Sequence, residues 1–381
     1  MTLSRFATAA VAAVTAALLF VSAGAAQAGA SSPVPSPVPA GFQPASTSWL
    51  TARHGFVFGY AACSWSPSCE YLFDTTDGGS SWQQLIAPPI TLPANSNHVQ
   101  LTFATDKIGF ATDGEYLYAT HDGAAHWSTV SLTGLNPTNQ INISSVTVFN
   151  GRVFAVGSSF GAADSTRIYA GAVDADTLTP VAALAPAAKA PAFDYGQLTA
   201  VGGVLQVAVG TSYQAEHYWL SRDGRTFTPA PLPCPVASST PTLGGIQSGQ
   251  VLVICAADPA DPQPGQQTKQ LLTAPGLGKP FTAATPLPTA GYQQDFATIS
   301  ANNATASAQA ADMNLLYATF DGGHSWNTTL QVPDLLGLWD LAFPSATVGY
   351  LVAGLPQGPT GASKLYRSTD AGHSWAPLVV K

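Results

Sequence analysis

Charge is scarce in this chain. Of its 381 residues only 9% are Asp, Glu, Lys or Arg, with 13 basic residues against 21 acidic ones and a formal net charge of −8. A basic footprint for nucleic acid or for an anionic membrane surface is thereby excluded. Arginine is limited after Arg5 to Arg53, Arg152, Arg167, Arg222, Arg225 and Arg367, and glutamate to Glu70, Glu115 and Glu216. Long 3.6-residue periodicity is missing beyond the first 30 residues, which leaves strands as the structural element. Missing too are an HExxH helix, a phosphate-cradling Gly loop, a GxSxG elbow and a Cys/His nucleophile arrangement. The stretch Asp74 to Leu85 lacks the alternating acidic ligands and final Glu of a calcium loop. His121 and His126 have no zinc-site context, while His324 and His373 take the same position in two repeats. No catalytic residue, cofactor or metal ligand is expected.

Cysteine is sparse but paired. Cys63 and Cys69 flank a short loop, and Cys234 and Cys255 bracket a hairpin whose antiparallel pairing would bring its ends together. Two disulfides, Cys63 to Cys69 and Cys234 to Cys255, are expected out of three connectivities; a four-thiolate zinc site is the alternative, without the CxxC spacing it favours. The N-terminus agrees with export. Residues 1–30 carry a single Arg5, an apolar run from Phe6 to Val21 and the small-residue stretch Ala26-Gln27-Ala28, the pattern of a Sec-type signal peptide cleaved after Ala28 or Ala30. An uncleaved anchor is the alternative. No Cys follows to carry a lipid. Residues 31–41 form a Pro-rich spacer, and the Ala-rich leader hints at a bacterium that secretes the protein.

What is present is a repeat. The stretch LYATFDGGHSW, Leu316 to Trp326, recurs as LYRSTDAGHSW, Leu365 to Trp375. Further copies pair Asp77 with Trp82, Asp122 with Trp127 and, shortened, Asp223 with Phe227, beside Asp321 with Trp326 and Asp370 with Trp375. Each reads as a β-hairpin turn in which a short carboxylate accepts backbone N–H groups, glycine supplies positive φ, and the aromatic residue anchors the next strand. The aspartates are spaced 45, 101, 98 and 49 residues apart, so each double step hides a decayed copy, near Ile168 to Val181 and Leu271 to Phe281. Seven units at this period point to a radial architecture. The expected fold is all-β: a single seven-bladed β-propeller over residues 42–381, with four-stranded antiparallel blades.

The pattern S/T-x-D-x-G-x-S/T-W resembles the Asp box of the bacterial neuraminidase repeat. It is shared by sialidases, two-propeller xyloglucanases, sortilin-type receptors and photosystem II assembly factors; the GF/GY rhythm between boxes looks most like the last. The copies at Asp122 and Asp223 depart from it, keeping only the Gly directly after the Asp. The resemblance implies that box aspartates are structural, at the rim and away from any active site. It also raises a sialidase, which would need three arginines on the ligand, a Tyr assisted by Glu and an Asp acid. The arginines here fall at turns or beside boxes, and the Arg-Ile-Pro motif is missing. Other glycosidases need facing carboxylates, for which Glu70, Glu115 and Glu216 with Asp113, Asp194, Asp295, Asp312 and Asp340 are available; Asp113 and Glu115, two apart, are expected to share a strand face, more as a solvated loop pair than as an acid/base couple.

What remains is the face bearing the loops between second and third strands. CSWSPSCE, SSFGAADSTR, TSYQAEHY, AADPADPQPGQQTKQ and AGLPQGPTGAS look like long, unequal loops on a repetitive scaffold. Trp65, Tyr213, Glu216, His217 and Tyr292 are the candidate ligand-face residues. The expected function is a secreted, monomeric, non-catalytic propeller binding an extracellular protein or glycan, without nucleic acid or a membrane span after leader cleavage. The alternative is an extracellular glycoside hydrolase of sialidase-like or xyloglucanase-like type.

Overall fold

Strands in this chain differ in how many of their faces are covered. The second strand of a unit is the most buried, and Gly55–Ala61 and Gly349–Ala353 are buried at every position. Continuous burial suits a strand with a neighbouring sheet over each face. The fourth strand is polar and half-exposed, as in Asn327–Val332, because it lies at the rim.

The computed structural model describes residues 38–66, 68–91, 99–135, 140–160, 165–185, 195–211, 214–234, 239–247, 249–257, 264–310, 312–333, 337–356 and 363–381. All belong to one unit, Pro35–Lys381. Seven sheets follow one another in sequence, each with its strands in the order first to fourth from the axis outward. Blade 1 is Gln43–Trp49, Gly55–Ala61, Cys69–Thr75 and Gln83–Leu85; blade 2 is Gln100–Phe103, Gly109–Thr112, Leu117–Thr120 and Ser128–Thr129. Blade 3 is Gln140–Phe149, Arg152–Phe160, Ser165–Ala172 and Thr177–Pro180; blade 4 is Tyr195–Val201, Val204–Thr211, Gln214–Ser221 and Thr228–Pro229. Blade 5 is Ser239–Gln247, Gln250–Ala257, Thr268–Ala274 and Thr282–Pro286; blade 6 is Tyr292–Thr298, Ala304–Gln309, Asn314–Thr319 and Asn327–Val332. Blade 7 is Leu338–Ala342, Gly349–Ala353, Lys364–Ser368 and Ala376–Leu378. First strands neighbour one another in order, and that of blade 7 returns to that of blade 1. The chain is a seven-bladed β-propeller, and both double steps of the repeat hold a complete blade.

The aspartate turns join third to fourth strands. In blades 1, 6 and 7 a hydroxyl two residues before the Asp (Thr75, Thr319, Ser368) donates to its Oδ1 at 2.8–2.9 Å and accepts the N–H two residues after it at 2.8–2.9 Å. The serine four residues on donates its N–H to Oδ1 and its hydroxyl to Oδ2. This needs two successive positive φ angles, 75° and 89° at Gly78 and Gly79. At Asp122 the second falls on Ala124, with φ 65°, and His126 Nδ1 meets Oδ2 at 2.7 Å where the others use serine. At Asp223 the turn is one residue shorter, and Arg225 and Thr226 give their N–H groups to Oδ1. These bonds explain the ionisation. Asp77 is held down to about 2 first by the Ser81 hydroxyl, Asp122 to about 2 by His126, Asp321 to about 2 by the Ser325 hydroxyl, and Asp223 lower still by the Thr226 N–H.

The GF/GY rhythm has a packing cause. A Cβ on Gly55 would lie 2.2 Å from the Trp49 ring, on Gly109 2.6 Å from Phe103, and on Gly349 2.5 Å from Phe343. Each glycine makes room for the aromatic residue at the end of the first strand of its own blade or, for Phe343, directly after it. The turn Trp then meets that ring edge-on: Trp82 on Trp49, Trp127 on Phe103 and Trp375 on Phe343, at 5.7–6.4 Å between centroids. The aromatic residue after the glycine reaches the next blade, Phe56 stacking on Phe103 at 3.6 Å and Tyr350 on Trp49 at 3.4 Å.

The ring closes without strand exchange. Blades 7 and 1 meet through the Trp49–Tyr350 stack, Tyr350 Oη donating to Ala52 O at 2.9 Å, Arg367 donating to Gly78 O at 3.2 Å, and an apolar cluster of Val57, Phe73, Trp82, Val352 and Leu365.

Four expectations need correction. Blade 3 carries a fifth strand, Ser131–Leu132, parallel to its outer strand. TSYQAEHY is no long loop: it is a hairpin whose strands end at Thr211 and resume at Gln214, because the alternating pattern continues through it. SSFGAADSTR is likewise strand up to Phe160 and from Ser165. Both disulfides form as paired in sequence, but Cys234 is not a hairpin end; the register partner of Cys255 is Pro241, and Cys234 reaches it from the connection between blades 4 and 5.

Candidate functional site: the axial channel and the loop-bearing face

Closing seven sheets around an axis leaves each first strand with an unpaired inner edge, whose N–H groups need acceptors. The first strands of blades 1, 3, 5, 6 and 7 also carry β-bulges that break their outer ladders. Side chains of the preceding blade supply the acceptors. Gln100 Oε1 takes the Val146 N–H at 2.7 Å, Gln197 Oε1 that of Leu243 at 3.2 Å, and Gln294 Oε1 that of Leu338 at 3.0 Å. Asp295 Oδ2 takes the Leu341 N–H at 2.8 Å while its Oδ1 takes that of Phe296. Asp340, at φ 51° in its bulge, accepts the Ser46 hydroxyl at 2.6 Å and the Thr47 N–H at 2.7 Å, and Ser46 Oγ in turn accepts the Leu101 N–H. The relay therefore runs from blade 7 through blade 1 to blade 2.

Of these acceptors, Gln100, Gln197, Gln294 and Asp295 line an axial cavity of about 570 Å³. Its wall includes Gln100, Ser145, Gln197, Thr199, Thr242 and Thr298 beside Leu198, Phe296 and Phe343; Asp295 is its carboxylate, and among the described residues no Lys or Arg lines it. Arg53 sits between first and second strands of blade 1, Arg152 opens the second strand of blade 3, and Arg222 and Arg225 lie in the Asp223 turn. A glycan carboxylate at the axis would meet no guanidinium.

On the loop-bearing face, Trp65 lies within the Cys63–Cys69 loop with 82% of its surface exposed. Tyr292 opens the first strand of blade 6 and is 45% exposed. Glu216 and His217 are on the third strand of blade 4, both exposed; Glu216 accepts the Thr211 hydroxyl, and His217 lies over Trp219 at 5.3 Å. Tyr213 lies outside the described residues. The candidates thus spread over blades 1, 4 and 6 and do not converge. Asp113 and Glu115 do not share a strand face: both sit in the turn before Leu117, where Asp113 Oδ1 accepts the N–H groups of Glu115 and Tyr116 at 2.8–2.9 Å. Among the described residues no His, Cys, Asp and Glu side chains cluster as a metal site, and no helix is long and apolar enough to cross a membrane.

Tyr60 faces Glu70 across the second and third strands of blade 1. Its hydroxyl is buried, donates to Ile90 O at 3.3 Å, and is pushed well above the usual phenol range by that burial, with Glu70 and Asp113 adding to it.

Two features escaped the sequence. Lys269 is fully buried, and its Nζ donates to the carbonyls of Gln267, Thr289, Ala290 and Gly291 at 2.5–3.3 Å, pinning the connection from blade 5 to blade 6. Burial pushes its ammonium down to about 8. A lysine on the same strand face as Leu271 was the available signal. The second is a groove of about 620 Å³ between blades 2 and 3.

No protein-family model matches the chain, and no curated protein matches it. Solved structures do. YCF48 from Cyanidioschyzon merolae superposes with a TM-score of 0.54 at 14% identity, covering 88% of this chain and 97% of that one. An ulvan lyase of polysaccharide lyase family PL25 gives 0.53 at 9%, covering 88% and 94%. An oligogalacturonate lyase in complex with manganese gives 0.53 at 11%, covering 83% and 86%. At these identities the likeness is one of fold: the chain shares the propeller architecture of proteins of unlike function.

Proposed function

We propose that this chain is an exported, non-catalytic propeller of the Asp-box repeat type that holds an extracellular glycan or protein on its loop-bearing face. Residues 1–30 act as its signal peptide and 31–41 as a spacer. The observation that carries the reading is the state of the two first-strand carboxylates, Asp295 in the axial wall and Asp340 beside it in the bulge of blade 7. Asp295 and Asp340 both accept backbone N–H groups across blades. A general acid and base must instead face a substrate with their oxygens available for proton transfer. Trp65 supports the binding half: a large aromatic surface is held out to solvent on a loop shortened by a disulfide, which lowers the entropy lost on stacking against a sugar or an apolar side chain. The two disulfides fit an oxidising, extracytoplasmic compartment.

The second reading, an extracellular glycosidase, has one observation in its favour, the Tyr60–Glu70 pair beside Asp113. The buried, already donating phenol weighs against it as a nucleophile. A glycan array and wall-polysaccharide screen on the protein from Ser31 onward, with fluorogenic sialoside and glucoside hydrolysis read in the same wells, separates the readings. Saturable binding without turnover, lost in Trp65→Ala at unchanged Tm, is expected. Turnover abolished by Glu70→Gln would overturn the proposal.

A further inference from the structure

Blade 2 gives the end of its chain to the next blade. Its fourth strand pairs with the third at Tyr118↔Thr129 and Ala119↔Ser128, a two-pair ladder like those of blades 3 and 4. Val130 N–H still reaches Leu117 O at 2.7 Å, and then the chain leaves its own sheet. Ser131 N–H and Thr133 N–H go instead to Asp176 O and Leu178 O of blade 3, both at 2.9 Å. The strand is thus split between two blades, and the wedge that opens is the groove of about 620 Å³. Leu117, Val130, Leu132, Leu135, Ile141 and Ile143 line it. Strand alternation points the Ser131 and Thr133 amides at blade 3 and so turns the Leu132 N–H to the groove side, past the end of the blade 2 ladder.

The lips carry opposite charge. Exposed Glu115 and Tyr116, the latter 48% exposed, stand on the blade 2 side. On the blade 3 side the exposed Arg167 guanidinium lies 3.9 Å from where a Cβ on Gly134 would sit. Aliphatic walls, a backbone N–H turned toward them by the strand's pairing with blade 3, and two lips of opposite sign describe a site for an extended peptide.

We infer that this groove docks an extended aliphatic peptide segment bearing a basic side chain that meets Glu115 and an acidic one that meets Arg167. The site is distinct from the Trp65 loop and does not depend on what that loop binds. The probe is a fluorescein-labelled, end-capped hexapeptide with Lys first, Glu last and alternating Val and Leu between, compared with the same peptide with the two charges exchanged. Fluorescence anisotropy is read against wild type, Glu115→Lys, Arg167→Glu, the double variant and Leu135→Asp, each checked for an unchanged far-ultraviolet spectrum. One of the two peptides is expected to bind with a micromolar Kd. Either single charge variant weakens it at least tenfold, the double variant exchanges the preference between the two peptides, and Leu135→Asp abolishes both. Absence of binding by both peptides, or indifference to the charge variants, would overturn the inference. So would a concentration-dependent dimer in sedimentation lost in Leu135→Asp, which would give the groove to a second copy of the chain.

Discussion

Lys269 offers a test in which the sign is fixed by the fold. Its ammonium is buried among four carbonyls, with no carboxylate partner among the described residues, and burial brings it down to about 8 in the folded chain against 10.5 when exposed. Below pH 8 both states hold the proton, and burial of the charge costs the fold about 3 kcal/mol at most. Between pH 8 and 10.5 the folded state sheds the proton while the unfolded chain keeps it, so stability rises with pH; above 10.5 the rise ends. Solvent near the connection screens part of the effect, so a gain of about 1.5–3 kcal/mol is the working figure. Lys269→Met removes the titrating group. Its absolute stability mixes relief of the charge with four carbonyls left short of a donor, but its difference from wild type isolates the titration. Urea unfolding followed by tryptophan fluorescence at pH 7, 8, 9 and 10 supplies that difference. Wild type should gain on the variant steadily above pH 8. A difference that stays constant from pH 7 to 10 would refute the reasoning, and would mean that the carbonyls hold the proton on the amine throughout.

Two further outcomes follow from local geometry. Gly349→Ala places a methyl group 2.5 Å from Phe343 and 2.9 Å from Trp375 at an ordinary φ, so a loss of about 1–3 kcal/mol in urea unfolding is expected from overpacking alone, whereas Gly349→Ala combined with Phe343→Leu should recover part of it. The Asp321 carboxylate, held down to about 2, contributes stability that is present above the ordinary carboxylate range and is lost as pH falls through about 2; Asp321→Asn should therefore trail wild type at pH 6 in thermal unfolding by circular dichroism, and the gap should close on acidification, a constant gap counting against the ionised turn.

What could be read in advance was whatever the chain encodes within a few residues. The Asp321 turn is complete between Thr319 and Ser325, so its spacing alone announces it, and counting such turns gives the blades even where blades 3 and 5 have lost theirs. The glycine before Phe56 or Tyr350 was visible as a rhythm, though its cause, a ring from the neighbouring strand, was not. The axial site was hidden for the opposite reason. Asp340 serves Ser46 and Thr47 at a sequence separation of 294 and 293, and Gln100 serves Val146 across a blade boundary, so no local pattern distinguishes these acceptors from free polar residues. Strand length misled in blade 4, where a hairpin with polar residues on its outer flank looked like a loop, and the split strand of blade 2 has a backbone choice of partner that side-chain alternation does not record.

The seam between blades 7 and 1 has a consequence for how the molecule can be rearranged. Both blades are complete within their own stretch of chain, and they meet through side chains rather than through a shared strand. Such a ring has no privileged first member. Joining Val380 to Phe42 through a flexible linker and opening the chain at another blade boundary should yield a circular permutant with the same seven sheets, and a whole blade is the natural unit by which such a ring can be shortened or lengthened during descent.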